Sequence, residues 1–270
     1  MATVERWRVR PGTTLDLSAI DTRDAAAAPG DKEATLEATA LLTTRLGELQ
    51  ERLWAEGRRS VLVVLQAMDA GGKDGTVKHI FRAVNPAGAR VTSFKAPSAE
   101  ERAHDFLWRV HAAVPARGEI GIFNRSHYED VVVVRVDELV PEPVWRARYD
   151  AIWAWEHHLA AEGTVIVKLF LHISPEEQAQ RFRDRLDDPT KHWKFNRGDL
   201  AVRARWDDHQ AAYAEAIERT TTDEAPWYVV PADRKWFRNW VVSSILVDTL
   251  EAMDPQFPEP ADDLSGIEVV

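Results

Sequence analysis

Apolar positions along the chain alternate between two periods, one helical and one extended. From Asp31 onward, Leu42, Leu46, Leu49 and Leu53 recur three or four residues apart, which predicts a helix that Gly57 ends. Arg59 to Gln66 is a continuous apolar run between polar residues, the pattern of a strand buried on both faces. A helix follows from Lys73 and stops before Asn85-Pro86, and Ala89 to Phe94 reads as a short strand. Ser98 with Glu101 three residues on is a capping box for a helix to about Val114. Gly118 to Phe123 is a third strand, and the valine run from Val131 reads as core. A tryptophan-rich helix spans about Pro141 to Ala161 and is closed by Gly163, after which Thr164 to His172 is a fourth strand. Ser174-Pro175-Glu176-Glu177 starts another helix, with a capping serine and proline at the first position. Trp227 to Val230 gives the last strand and Asp233 to about Met253 the last helix.

Strands that alternate with helices predict an α/β fold, a parallel sheet covered on both faces. Residues 1–30 read as an irregular arm, broken at Pro11-Gly12 and Pro29-Gly30. One domain is expected, with a helical insertion near 181–220 and a proline-rich tail after Pro255 that is unordered or draped over the surface.

Composition narrows the function. The 270 residues carry a formal net charge of -10, so binding of nucleic acid by charge alone is not expected, and a polyanion would need a local basic patch. There is no cysteine, hence no disulfide, thiolate metal site or cysteine nucleophile. No apolar run reaches the ~18 residues that a membrane span requires, and the N-terminus lacks an apolar signal core. A cytoplasmic location and no membrane partner are therefore the expectation.

Three stretches carry chemistry. In AMDAGGKDGT, residues 67–76, a strand runs into a glycine turn, Lys73 and the start of a helix. Helix N-termini offer unpaired N–H groups to phosphate oxygens. Gly71, Gly72 and Gly75 allow close backbone approach, and Lys73 adds a point charge. Compared with G-x-x-x-x-G-K-[ST], Ala67 replaces the first glycine and Asp74 the hydroxyl that ligates magnesium, so Asp74 and Asp69 are the candidate metal carboxylates. In FNRSHYED, residues 123–130, the end of the third strand should bring Arg125 to the same opening as Lys73, with Glu129 and Asp130 behind. In RFRDRLDDPTKHWKFNRGDL, residues 181–200, Arg181, Arg185, Lys191 and Lys194 belong to a basic patch; Arg181 and Arg185 lie one helical turn apart, and Asp188-Pro189 ends that helix. Such a flap can cover phosphates and exclude water. A solvated charge run remains the plain alternative, with Asp184, Asp187 and Asp188 pairing with the arginines.

Together AMDAGGKDGT, FNRSHYED and RLDDPTKHWK resemble the two Walker-type motifs and the lid of the family-2 polyphosphate kinases. SFKAPS (93–98), HDFLWR (104–109) and APWYVVPADRKW (225–236) are similar to further segments of that family, so the likeness runs from about residue 6 to 257. It implies a single domain with a P-loop kinase-like three-layer sandwich, a five-stranded parallel sheet and a helical lid. It implies phosphoryl transfer between inorganic polyphosphate and AMP, ADP or ATP, with GMP and GDP as further acceptors, by direct in-line transfer with Mg2+ (or Mn2+ as substitute). By position, Asp69 and Asp74 would hold the metal and Lys73 the transferred phosphates; Asn124 and Arg125 would place the acceptor phosphates, with Glu129 in support. Arg181, Arg185, Lys191 and Lys194 would clamp polyphosphate, and Lys95 would contact the nucleotide. A homo-oligomer is the expected assembly. The alternatives are an ATP-dependent nucleotide kinase and a non-catalytic polyphosphate- or nucleotide-binding protein.

Overall fold

The computed structural model describes residues 4–82, 84–263 and 265. Five strands form one parallel sheet: β1 (Ser60–Gln66), β2 (Ala89–Ser93), β3 (Ile120–Asn124), β4 (Thr164–His172) and β5 (Trp227–Pro231), in the order β2-β3-β1-β4-β5. The helices are α1 (Lys32–Glu56), α2 (Lys73–Phe81), α3 (Ala99–Ala103), α4 (Trp108–His111), α5 (Glu129–Val136), α6 (Glu142–Ala161), α7 (Pro175–Asp187), α8 (Gly198–Ala204), α9 (Trp206–Thr220) and α10 (Lys235–Met253).

The central strand explains the layering. Every residue of β1 is buried, and alternate side chains enter two different cores. Val61, Val63 and Leu65 join Val167, Leu169 and Leu171 of β4 against Leu46, Leu49 and Leu53 of α1 and Val241, Ile245 and Leu250 of α10. Leu62 and Val64 join Phe123, Ile166 and Phe170 against Val131 and Val132 of α5, Tyr149 and Ile152 of α6 and Tyr213 and Ile217 of α9. Each such side chain contributes about 1.5–3 kcal/mol on burial, so the sheet is fixed by both layers at once.

Local signals set the ends of the elements. Asp31 caps α1 by accepting from the Glu33 and Ala34 amides, and Gly57 ends it in the left-handed region at φ 61°. Ser174 caps α7 above Pro175, and the helix stops at Asp187, before Asp188-Pro189, as expected. The expected helix from Ser98 to Val114 differs. The capping box forms, yet the chain makes two short helices, α3 and α4, because Asp105 accepts from the Leu107 amide at 2.9 Å and turns the backbone between them. The valine run from Val131 contributes Val131, Val132 and Val136 to the core, within α5.

The arm is irregular but seated. Val4, Trp7, Val9 and Leu17 are buried, and the Val9 amide donates to the Trp227 carbonyl at 2.8 Å, covering the free edge of β5. The insertion near 181–220 divides: Ala212, Tyr213, Ala216 and Ile217 put α9 into the core, while the 3-10 turn Pro189–Lys194 and α8 have no buried residue. Pro255 is buried at the start of the tail, and residues 264 and 266–270 of that tail lie outside the described residues. No helix among the described residues is long and apolar enough to cross a membrane.

Candidate active site

In the strand order, the chain leaves β1 for β2 and β3 on one side, then crosses from β3 to β4 and β5 on the other, so the direction reverses beside β1. Ligands of open parallel sheets bind at the carboxyl ends of the strands beside such a switch point. Here a cavity of about 1060 Å³ opens there. Its wall includes Asp69, Gly71, Gly72, Lys73, Asp74 and Gly75 after β1, Lys95 after β2, and Asn124 and Arg125 after β3. Arg181 and Arg185 of α7, with Lys191 and Lys194 of the turn beyond it, complete the wall. Every site residue expected from sequence thus lines this one cavity except Glu129, which stands behind Arg125 and is bonded to it.

The loop after β1 is built by close approach. A Cβ on Gly71 would sit 2.5 Å from the Ala67 Cβ, and one on Gly72, at φ 105°, 2.3 Å from Nη1 of Arg238. Both positions therefore exclude a side chain. Lys73 opens α2 and turns back over the loop, donating to the carbonyls of Ala67 at 2.7 Å and Met68 at 3.3 Å. Burial, and then the neighbouring Arg125 cation, lower its pKa to about 8 against the pull of Asp69, Glu129 and Asp74.

Arg125 crosses from β3 to that loop. Its amide donates to the Leu65 carbonyl at 3.1 Å; Nη2 donates to Asp69 at 2.6 Å and Nη1 to Glu129 at 3.0 Å. The charge of Glu129, and that of Asp69, outweigh burial and raise its pKa further. Asp74 accepts from Asn124 at 3.0 Å and pairs with Lys194 of the lid at 3.4 Å. Burial works to raise the Asp74 pKa, but these two partners and Lys73 outweigh it and hold the carboxyl below its usual range.

The four lid cations differ in their engagements. Arg181 is nearly buried and donates to Glu177, to the Ala70 carbonyl at 2.9 Å and to the Ala232 carbonyl at 2.6 Å, which ties the glycine loop to α7 and to the end of β5. Arg185 donates to the Lys194 carbonyl at 3.1 Å and faces Asp199 at 3.5 Å. Lys191 pairs with Asp188 at 2.7 Å. Among the described residues, neither arginine pairs with Asp184, Asp187 or Asp188, as the plain charge-run alternative would have it: Arg181 pairs with Glu177 and Arg185 with Asp199, and Asp188 pairs with Lys191 instead. Lys194 reaches into the cavity.

Sequence reasoning missed several wall residues. Arg238, 3% exposed, lies beside Arg181 and has no carboxylate partner among the described residues; Nη2 and Nε donate to Asn239. Burial and Arg181 lower its pKa to about 10. Lys78, Lys235, Asp199 and the 79% exposed Trp193 also line the cavity. The signal for Lys235 and Arg238 was their place: they open the helix that follows a strand whose carboxyl end faces the same crevice.

Four carboxylates line the cavity, Asp69, Asp74, Asp184 and Asp199, and of these Asp69 and Asp74 flank the glycine loop, where a divalent cation would find them. No cluster of three His, Cys, Asp or Glu side chains able to hold a metal exists among the described residues. That donor set suits Mg2+, which takes one or two carboxylates and completes its shell with water and substrate phosphates. It does not suit a structural zinc site.

Comparison with known proteins agrees with this geometry. The family model described as Polyphosphate kinase 2 (PPK2) matches residues 30–258. The AMP/ADP-polyphosphate phosphotransferase of Meiothermus ruber is 56% identical over 257 residues, covering 95% of this chain and 96% of that protein. The ADP-polyphosphate phosphotransferase of Rhodopseudomonas palustris is 46% identical over 227 residues, 80% of this chain and 78% of that protein. The crystal structure of Polyphosphate Kinase 2 from Arthrobacter aurescens TC1 superposes with a TM-score of 0.93 at 44% identity, over 97% of this chain and 93% of the other. A family match over most of the length and a shared fold around the glycine loop lead to one assignment: the chain belongs to the polyphosphate kinase 2 family.

Proposed function

We propose that the chain transfers the terminal phosphoryl group of inorganic polyphosphate to AMP and ADP, and in reverse from ATP to polyphosphate. The observation that carries this reading is the convergence on one cavity of the glycine loop with Lys73, the strand-end Asn124 and Arg125, and the lid cations Arg185, Lys191 and Lys194. In an acidic protein, that concentration of cations serves a polyanion. The Meiothermus ruber relative, an AMP/ADP-polyphosphate phosphotransferase, supports both acceptors.

In this reading the acceptor phosphates lie at Asn124 and Arg125, with Lys95 toward the nucleoside. The polyphosphate chain lies at Lys73 and under the lid. Lys73 exchanges its carbonyl partners for phosphate oxygens and keeps its charge beside the transferred group. Arg125, held between Asp69 and Glu129, cannot swing away and presents a fixed guanidinium to the charge that develops. Lys194 on Asp74 draws the lid across, which excludes water that would compete as acceptor. Among the described residues no side chain is placed as a covalent nucleophile, so an acceptor phosphate oxygen attacks the terminal phosphorus in line, the P–O bond to the next phosphate breaks, and polyphosphate one unit shorter leaves. Asp69 and Asp74 would hold Mg2+, which when bound neutralises phosphate charge.

The test is to incubate the protein with polyphosphate and magnesium, offering AMP, ADP, GMP and GDP separately, and to identify the products. Formation of ADP and ATP with no other donor is expected. Transfer that requires ATP as donor would identify a conventional nucleotide kinase. Tight polyphosphate binding without turnover, in magnesium and manganese, would identify a binding protein.

A further inference from the structure

Arg125 has a backbone φ of 63°, in the left-handed region, although it carries a side chain. A residue keeps that conformation only where its surroundings over-determine it. On the side toward the cavity, the hydrogen bond that its backbone N–H donates to the Leu65 carbonyl and the ion pairs to Asp69 and Glu129 do so. On the side away from the cavity, the next three residues are anchored in the core. Ser126 accepts from Gln66 at 3.1 Å, His127 meets Glu156 at 3.2 Å, and the Tyr128 hydroxyl lies 2.8 Å from both Glu156 and the Thr220 hydroxyl.

Behind Tyr128 is a charge in the core. Lys168 points from the middle of β4 toward the helix layer of α6 and α9 and is 0% exposed. Its ammonium donates to Glu156 of α6, to the Thr220 carbonyl at 2.7 Å and to the Tyr128 hydroxyl at 3.1 Å, so all three N–H groups are used. Glu156 falls on the buried stripe of α6 with Ile152 and Leu159. Apolar side chains of similar volume usually replace a buried ion pair at no cost in stability. Packing alone therefore gives no reason for a lysine and a glutamate here. Hydrogen bonds add direction: they fix the Tyr128 ring, and hence the backbone between Arg125 and Glu129.

We infer that Lys168, Glu156, Tyr128 and Thr220 form a positioning device that holds Arg125 at the acceptor subsite. The inference rests on the assignment of Arg125 to the acceptor phosphates above. None of the four residues lines the cavity; they act through the segment Ser126–Glu129.

Tyr128→Phe removes one hydroxyl and keeps the ring. The expected result is a rise in KM for ADP of roughly tenfold, the order found when groups that orient a ligating side chain are lost. A matching fall in ADP affinity is expected by calorimetry, with KM for polyphosphate unchanged. Thr164→Val is the control: it loses a buried hydroxyl bond, to Ser60 at 3.0 Å, at the opposite end of the sheet. It should lower the melting temperature comparably and leave both KM values alone. An equal rise of both KM values, or an ADP affinity equal to wild type, overturns the inference. Wild-type protein that does not bind ADP would overturn the acceptor assignment itself and the inference with it.

Discussion

Replacing Lys73 with methionine keeps the length of the side chain and removes its charge. In the structure the ammonium is half-buried, bonded to two loop carbonyls and lowered to about pKa 8. If it stabilises the transferred phosphoryl group, losing it removes one preorganised donor, which costs about 2.7–4 kcal/mol. That corresponds to a drop of roughly 10²- to 10³-fold in kcat. The fold should survive, because the substitution removes a cation that Arg125 repels. The pH dependence separates the two roles. The folded pKa lies below the ordinary 10.5, so between about 8 and 10.5 the unfolded chain holds a proton that the folded chain has released. Wild-type stability relative to Lys73→Met should therefore rise through this window, by at most about 1.4 kcal/mol per pH unit. Polyphosphate affinity should run the other way in the wild type, falling as pH rises above about 8. In Lys73→Met it should lack that component. ATP formation from ADP and polyphosphate, polyphosphate binding and thermal melts between pH 7 and 10 give all three quantities. A variant within about threefold of wild-type kcat would refute the placement of Lys73 at the reacting phosphates, since the electrostatic loss is about a hundredfold at least.

Asp74→Asn, at a carboxylate 67% exposed, should leave the melting temperature within about 2 °C and lower the magnesium-saturated rate by about 10²-fold, with a raised magnesium requirement in a metal titration. Gly72→Ala puts a methyl group against Arg238 at φ 105°, so a cost of about 1–3 kcal/mol is expected in denaturant unfolding, with loss of turnover. Lys168→Met leaves Glu156 in the core without its cation, with His127 and the Tyr128 hydroxyl still beside it, and should cost about 3–5 kcal/mol. Adding Glu156→Leu should recover most of it, and strictly additive losses in a double-mutant cycle would refute the coupling.

Local signals carried much of the site. The glycine loop, its lysine and the second aspartate were legible from a strand–turn–helix pattern; what closes Gly71 and Gly72 to a side chain, the contacts with Ala67 and Arg238, was not. The five strands were legible because β1 and β4 are apolar runs buried on both faces. The break between α3 and α4 was not, because a single side-chain bond from Asp105 competes with an otherwise helical stretch. Lys168 was visible as the one charge in TVIVKLFLH, but its partner Glu156 was not, because it comes from another element whose face toward β4 emerges only on packing.

The sequence by itself determined the alternation of strands and helices, the phosphate-binding turn, the local basic patch and the family likeness, since these depend on residues near one another in the chain. Tertiary structure decided which cations share a wall. It brought Arg238 and Lys235 from α10 to the loop after β1, tied Arg181 to the Ala70 and Ala232 carbonyls, and set Asp74 between Asn124 and Lys194. Those contacts join positions up to 166 residues apart in sequence, as between Gly72 and Arg238. No local pattern encodes such a distance; only the order of strands in the sheet fixes it.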